Sequence, residues 1–485
     1  MFIYFSDFFE VDEKIINDYG AFNISLINDL PLFIDPFLLF NSKEEEYQKL
    51  HTDIITYLQF LKSKSVKKNI EYGLLQAWYF FPEVKQNWLG FSKIGNGGLG
   101  LRDDFAKSLH SNLHVVFANF GEEKITDSSH LEKLCLINNG VGKDKISDFT
   151  TNLIKDFLLR YTQEFAIHNI SPKYIKRIGV EKVKFNYSSE VWETVQFDLP
   201  FFNDDYVLLT PKNILTRDET WINRSDLYDN FISIPRAIPN DQLRSQINNY
   251  LRSVLPKKAT KDDYRKAASL VIEKFPEVLD YYILTKEKQS DRAVSISNEK
   301  VKQAETQFIS QIQELTGLLK TQSDFFNTVG KTLDESLERV RFLKDVIENK
   351  DGYRLFYVDG VPIERENDLQ IMYRLTWFAT DADVNREVNN GRGPVDFKVS
   401  VGRRDSTLVE FKLAKNTQLK RNLQNQIEIY KKSSDTKQSI KVILFFTKKE
   451  LDRVKKILKE LKIESDPHII LIDARRDNKP SASKA

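Results

Sequence analysis

The sequence predicts a multidomain α/β protein, with a mixed α/β domain over residues 1–235, a helical middle region over 236–350 and a separate α/β domain over 351–485. Three observations carry that reading. Strand-like and helix-like periodicities alternate through the first half, strand signals vanish from about Asp241 to Asn349, and the last quarter reads α-β-β-β-α-β-α-β. With 485 residues, 41% of them apolar and 12% aromatic, the chain can bury at least two cores, which argues against a stapled miniprotein or a disordered chain. Its one cysteine, Cys135, excludes an intramolecular disulfide and any all-cysteine metal cluster and fits a reducing compartment.

The N-terminal stretch from Tyr4 to Phe40 consists of short apolar runs, with Asn28-Asp29 and Asp35-Pro36 punctuating candidate strands. Helical spacing of Phe149, Leu153, Phe157 and Tyr161 predicts one helix over 146–167 behind a Ser147 cap, and VWETVQFDLPFF reads as a strand. In the middle region Phe308, Ile312, Leu315 and Leu319 form one apolar stripe. Leu333, Leu337, Val340 and Val346 or Ile347 form another, so the two helices are expected to pack as a hairpin serving as spacer or dimerisation element.

Charge is unevenly distributed. Residues 351–485 hold 27 of the 72 basic and 20 of the 70 acidic side chains, net +7, which leaves 45 basic and 50 acidic residues, net −5, in the rest of the chain. A basic end on a mildly acidic body suits a polyanionic partner. The first residues carry acids where a secretory leader carries bases, and no stretch approaches eighteen uncharged apolar residues, so the expectation is a cytoplasmic protein without a membrane partner.

The chemistry concentrates in PVDFKVSVG and TLVEFKLAK, two alternating strands joined by the turn-forming Gly402 to Ser406 and expected to pair as an antiparallel hairpin. Period two puts Asp396, Lys398 and Ser400 on one face and Leu408, Glu410 and Lys412 on one face of the partner, so a single hairpin can bring Asp396 beside Glu410 and Lys412. Paired carboxylates are hard oxygen donors for Mg²⁺ or Mn²⁺, and with a neighbouring ammonium they suffice for hydrolysis of a phosphodiester.

GPVDF, thirteen residues, then EFK resembles the signature of the PD-(D/E)xK nuclease superfamily, over about 135 residues and with Pro394 one residue farther from the aspartate than the name implies. The resemblance implies a restriction-endonuclease-like αβββαβ core, with Asp396 and Glu410 as metal ligands and Lys412 as the catalytic lysine. It also implies an upstream acid. Glu366, at the start of ENDLQ, is favoured, with Glu387 in EVNNGRG as the alternative. The QxxxY spacing of Gln426 and Tyr430 resembles another recurrent element of that superfamily, a helix whose glutamine faces the active site. The implied activity is a Mg²⁺-dependent endonuclease acting on DNA, in the manner of bacterial antiphage-defence nucleases, with residues 1–235 sensing or recognising something and a homodimer supplying two sites for two strands. RNA cleavage uses the same groups, and a non-catalytic nucleic-acid-binding or regulatory protein on a nuclease-like fold is the reading from another class.

Other motifs have plainer explanations. GNGGLG at 95–100 follows no clear strand and reads as a loop, GVGKDKIS at Gly140 is no P-loop, and His110 and His114 lack the glutamate of a zinc-protease helix. Arg392, Arg403 and Arg404 are candidates for phosphate contact, whereas Lys431-Lys432, Lys448-Lys449 and Lys455-Lys456 suit solvated faces.

Overall fold

The computed structural model describes the chain except residues 1–2, 28, 67–68, 91–100, 102, 117–119, 138–140, 257, 314–330, 351, 359–360, 364–365, 378–382, 390–393, 402–404, 425–437 and 480–485. It is a mixed α/β protein in two compact units, essentially residues 2–302 and 303–485. The helical stretch therefore does not stand apart. Its first part belongs to the N-terminal unit and its last helix to the C-terminal one.

In the N-terminal unit the short segment expected to be a strand before Phe40 is instead helix α1 (Pro36–Phe40). Asp35 accepts a hydrogen bond from Phe37 N and Pro36 occupies the first turn, where its missing N–H removes no bond, so the dipeptide starts a helix rather than ending a strand. Helix α2 (Glu45–Ser65) buries Leu50, Ile54, Tyr57, Leu58 and Leu61, with Glu45 and Glu46 in the first turn and Lys62 and Lys64 in the last, as the helix dipole favours. The helix expected over 146–167 is two, α3 (Lys143–Leu153) and α4 (Lys155–Asn169), broken at Ile154. Ser147 is not its cap; it lies inside α3, and its hydroxyl accepts a hydrogen bond from Ile34 N.

Strands β1 (Ile175–Asn186) and β2 (Val191–Phe202) form a long antiparallel hairpin, with Ile175 opposite Pro200 and Asn186 opposite Val191. A bulge between Val180 and Lys184, with Lys182 in the left-handed region, bends β1. Val180, Val183, Phe197 and Leu199 of the hairpin pack with Leu159 of α4, which fixes the hairpin on that helix. Four further helices follow, α5 (Asp241–Val254), α6 (Lys261–Lys274), α7 (Glu277–Glu287) and α8 (Ser290–Glu305); Asn240 and Thr260 cap the first two through their side chains.

The C-terminal unit is built on one five-stranded mixed sheet. Helix α9 (Thr332–Asn349) packs on it and is followed by helix α10 (Glu366–Leu375) and strands β3 (Asp383–Asn389), β4 (Pro394–Val401) and β5 (Asp405–Leu413). Strand β6 (Ser439–Phe445), helix α11 (Lys448–Glu460) and strand β7 (Ile469–Asp473) complete it. The sheet order is β7-β6-β5-β4-β3, antiparallel from β3 to β5 and parallel from β5 to β7.

The expected hairpin of two middle helices gives way to this sheet contact, for a reason visible in α9. Its buried face carries Val340, Leu343, Val346 and Ile347 together with the wholly buried Arg339, while Leu315 and Leu319 of the other stripe lie outside the described residues. Arg339 pairs with Glu335, donates from Nε to Thr376 O at 3.1 Å and lies 4.0 Å over the Trp377 ring. An apolar stripe with a paired arginine in it suits an α/β layer, where the far end of the side chain meets a loop carbonyl and an aromatic face.

Candidate active site

Strand register decides which side chains of the sheet meet. Leu408 stands opposite Lys398 and Val409 opposite Phe397, so Asp396 shares a face with Glu410 and Lys412, as the alternation of the sequence implies. The other face holds Phe397 and Phe411, which close on Tyr373 of α10 at centroid distances of 5.3 and 5.0 Å. In the parallel pair Glu410 is opposite Lys441 and Lys412 opposite Ile443. Since Ile443 packs with Val454, Ile457 and Leu458, helix α11 covers the polar face over β6, next to the charged positions of β4 and β5.

Lys412 is the centre of the cluster. Its Nζ lies 3.2 Å from Glu366 Oε2 and 3.5 Å from Asp396 Oδ2 and also donates to Phe411 O at 3.0 Å. Both acids are fixed to β5 by its backbone. Asp396 Oδ2 accepts from Phe411 N at 2.6 Å, and Glu366 Oε1 accepts from Leu413 N at 3.2 Å and from Asn416 Nδ2 at 3.1 Å. Glu366 comes from the start of α10 and Asp396 from β4, so two elements distant in sequence deliver carboxylates to one ammonium.

The side chains of Lys412, Asp396 and Glu366 are 16%, 13% and 24% exposed, enough burial for electrostatics to matter. Burial raises the Asp396 carboxyl; Lys412 and the Phe411 N–H pull it back, and Glu366 raises it further. For Lys412 burial opposes the charge, but Asp396, Glu366 and Glu410 together outweigh it and hold the ammonium above its ordinary value. Lys412 is therefore a firmly protonated cation.

Glu410 is buried, and its field also acts on the buried Lys441, whose ammonium is lowered by burial and supported by Glu410 and Asp466. Lys441 and Asn416 were not singled out by sequence reasoning. Lys441 begins an apolar strand, and its place opposite Glu410 is set by the β5–β6 register, which no local pattern encodes.

Glu387 lies in β3 between Arg386, which pairs with Phe397, and Val388, which pairs with Val395; its backbone thus runs beside that of Asp396. Gln426, Tyr430, Arg392, Arg403, Arg404, Lys431 and Lys432 lie outside the described residues, as does GNGGLG. Lys448, Lys449, Lys455 and Lys456 are exposed. His110 is buried in the N-terminal unit with Nδ1 3.2 Å from Tyr79 Oη, a packed core histidine.

Residues 10–223 match a family model described as a domain of unknown function (DUF8370), and residues 332–448 match a second, also a domain of unknown function (DUF8371). No curated protein and no solved structure matches the chain. The second matched stretch starts at Thr332, where α9 begins, and contains Glu366, Asp396, Glu410 and Lys412.

The donor set suits a hard divalent cation in kind, since the converging groups are carboxylate oxygens. Among the described residues, however, no three carboxylate, imidazole or thiol groups gather closely enough to hold a metal ion. Asp396 and Glu366 converge on Lys412, and Glu410 stands beside them on the strand without completing such a triad. No helix among the described residues is long and apolar enough to cross a membrane.

Proposed function

We propose that this chain is a Mg²⁺- or Mn²⁺-dependent endonuclease that hydrolyses DNA phosphodiesters through a PD-(D/E)xK-type site in its C-terminal unit, in a role such as defence against foreign DNA. The observation that supports it most is the meeting of Glu366 and Asp396, from a helix and a strand, at the ammonium of Lys412. A divalent ion held by Asp396 and Glu366, with Glu410 as the neighbouring acid, supplies Lewis acidity toward water and the phosphoryl oxygens.

The protein's own groups do the rest. Because three carboxylates keep Lys412 protonated, its part is that of a hydrogen-bond donor and positive charge for the phosphoryl oxygen, not of a base that takes a proton. Asp396 and Glu366 are held by the Phe411 and Leu413 amides, so neither must be reoriented to present its oxygens. Gln426 would orient a phosphate or a water. The net positive charge of residues 351–485 favours the phosphate backbone of the substrate, and a homodimer would offer one site to each strand.

One observation favours a second reading, a nucleic-acid-binding platform without catalysis: the absence of a three-acid group among the described residues. A cleavage assay on duplex DNA, single-stranded DNA and RNA with titrated Mg²⁺ separates the two. The expected outcome is metal-dependent cutting of duplex DNA, reduced roughly a thousandfold in Lys412→Ala and in Asp396→Ala. Cleavage left intact by either substitution defeats the enzyme reading, and DNA binding without cleavage establishes the platform.

A further inference from the structure

The N-terminal unit contains a cavity of about 600 Å³ between α2, the α3–α4 junction and the β1–β2 hairpin, within the size range of small-ligand sites. Its hairpin wall is aromatic. Phe185 stands 4.9 Å from Tyr57, 5.2 Å from Trp192 and 5.1 Å from Tyr187, centroid to centroid, and Trp192 is 5.1 Å from Tyr57. The Trp192 indole nitrogen is buried against Tyr57 without closing a hydrogen bond. Rings of this kind are spare beyond what the hairpin core requires: Tyr187 is 46% exposed, and the hairpin is already anchored through Val180, Val183, Phe197 and Leu199.

Charge at the cavity divides into two groups. Arg160 is already committed, with Nη1 3.4 Å from Glu46 and Nε 3.2 Å from Asp156. Lys49 and Lys184 both act through space on Asp53, yet neither closes an ion pair among the described residues. Two ammonium groups thus face one carboxylate, which leaves a surplus of one positive charge next to an aromatic wall. A ligand that satisfies both features carries a flat ring system and an anionic group a short distance from it.

We propose that this cavity binds a nucleoside phosphate, its base against Tyr187, Phe185 and Trp192 and its phosphate at Lys49 and Lys184. Base–aromatic stacking tolerates any base, and lysines receive phosphate as point charges, so the chemistry selects the class more than the particular nucleotide. Asp53 lies among the two lysines and accepts hydrogen bonds from ribose hydroxyls or a base amino group. The site is independent of the cleavage reading, because the groups that form it all belong to the N-terminal unit and none takes part in hydrolysis.

The test is equilibrium binding to the full chain by calorimetry, with adenosine 5′-monophosphate, adenosine, ribose 5-phosphate and a 5′-phosphorylated oligodeoxynucleotide as probes. Adenosine monophosphate is expected to bind saturably and more tightly than either fragment. Lys49→Ala and Lys184→Ala, both exposed positions, should each weaken it about tenfold and leave adenosine unchanged. Tyr187→Ala, also exposed, should weaken adenosine and the monophosphate alike. Competition by the oligonucleotide identifies a strand end as the occupant; failure to compete identifies a free nucleotide. Absence of saturable binding up to about 10 mM, ribose 5-phosphate binding as tightly as the nucleotide, or affinity untouched by both lysine substitutions overturns the assignment.

Discussion

Asp35 and Glu132 in the N-terminal unit, like Asp396 and Glu366 in the C-terminal unit, are acids withdrawn from water by the packing around them, but only the second pair has a cation between its members. Asp35 and Glu132 are both wholly buried. Asp35 accepts from Phe37 N at 3.1 Å and Trp221 N at 2.6 Å, yet burial outweighs those bonds and pushes it up to about 6. Glu132 is raised well above the carboxylate range, first by burial and then by Asp35. The nearby Lys286 is already paired with Asp226 at 3.0 Å and lies over the Trp221 ring. A pair in this state holds a proton between its members, whereas the C-terminal pair holds an ammonium. Buried acids need a positive partner, and what differs is whether the sequence supplies one or the solvent does.

The largest expected effect removes that difference. Lys412→Met leaves Asp396 and Glu366 facing each other without a cation and should lower the stability of the C-terminal unit by about 3 kcal/mol, read by chemical denaturation. Adding Asp396→Asn to Lys412→Met should return part of the loss, because the uncompensated charge is then gone; a double variant no more stable than Lys412→Met would break the comparison.

A smaller effect should appear with pH in the N-terminal unit. Asp35 titrates near 6 when folded and near its ordinary 3.8 when unfolded, so between those values the folded state binds the extra proton. Its contribution to stability is present at low pH and is lost as pH rises through about 6, and the calorimetric transition of this unit should move up on going from pH 7.5 to about 5.5. A transition that falls over this window contradicts the protonated pair. Smaller still is the expected response of Glu132→Gln. With one acid made permanently neutral, Asp35 loses the charge that raises it, and the pH dependence should flatten without abolishing folding. A variant as steep as the parent would show that burial alone sets Asp35.

Legibility in the sequence followed the range of the interactions. The strand at Val191–Phe202 and the β4–β5 pair were readable because alternation and turn residues are local, and the face shared by Asp396, Glu410 and Lys412 follows from period two. The helix at Pro36–Phe40 was misread because Asp-Pro serves both as a turn and as a helix start, and the choice falls to the Asp35–Trp221 bond, 186 residues apart. The break at Ile154 and the withdrawal of Ser147 into α3 likewise depend on a distant partner, the Ile34 amide. Arg339 was hidden for the opposite reason: a charged residue in an apolar stripe reads as solvated until a carbonyl, an acid and a ring are found around it.

The sequence by itself determined the alternation of polar and apolar side chains along β4 and β5, and with it the placing of an aspartate, a glutamate and a lysine on one side of a hairpin, because side-chain direction along a strand is fixed by covalent geometry. Only the tertiary structure decided that α10 brings Glu366 to the same ammonium, that α9 joins the sheet rather than a helical hairpin, and that Lys441 stands opposite Glu410. Those outcomes depend on which surfaces bury one another across tens to hundreds of residues, and burial is a property of the assembled chain.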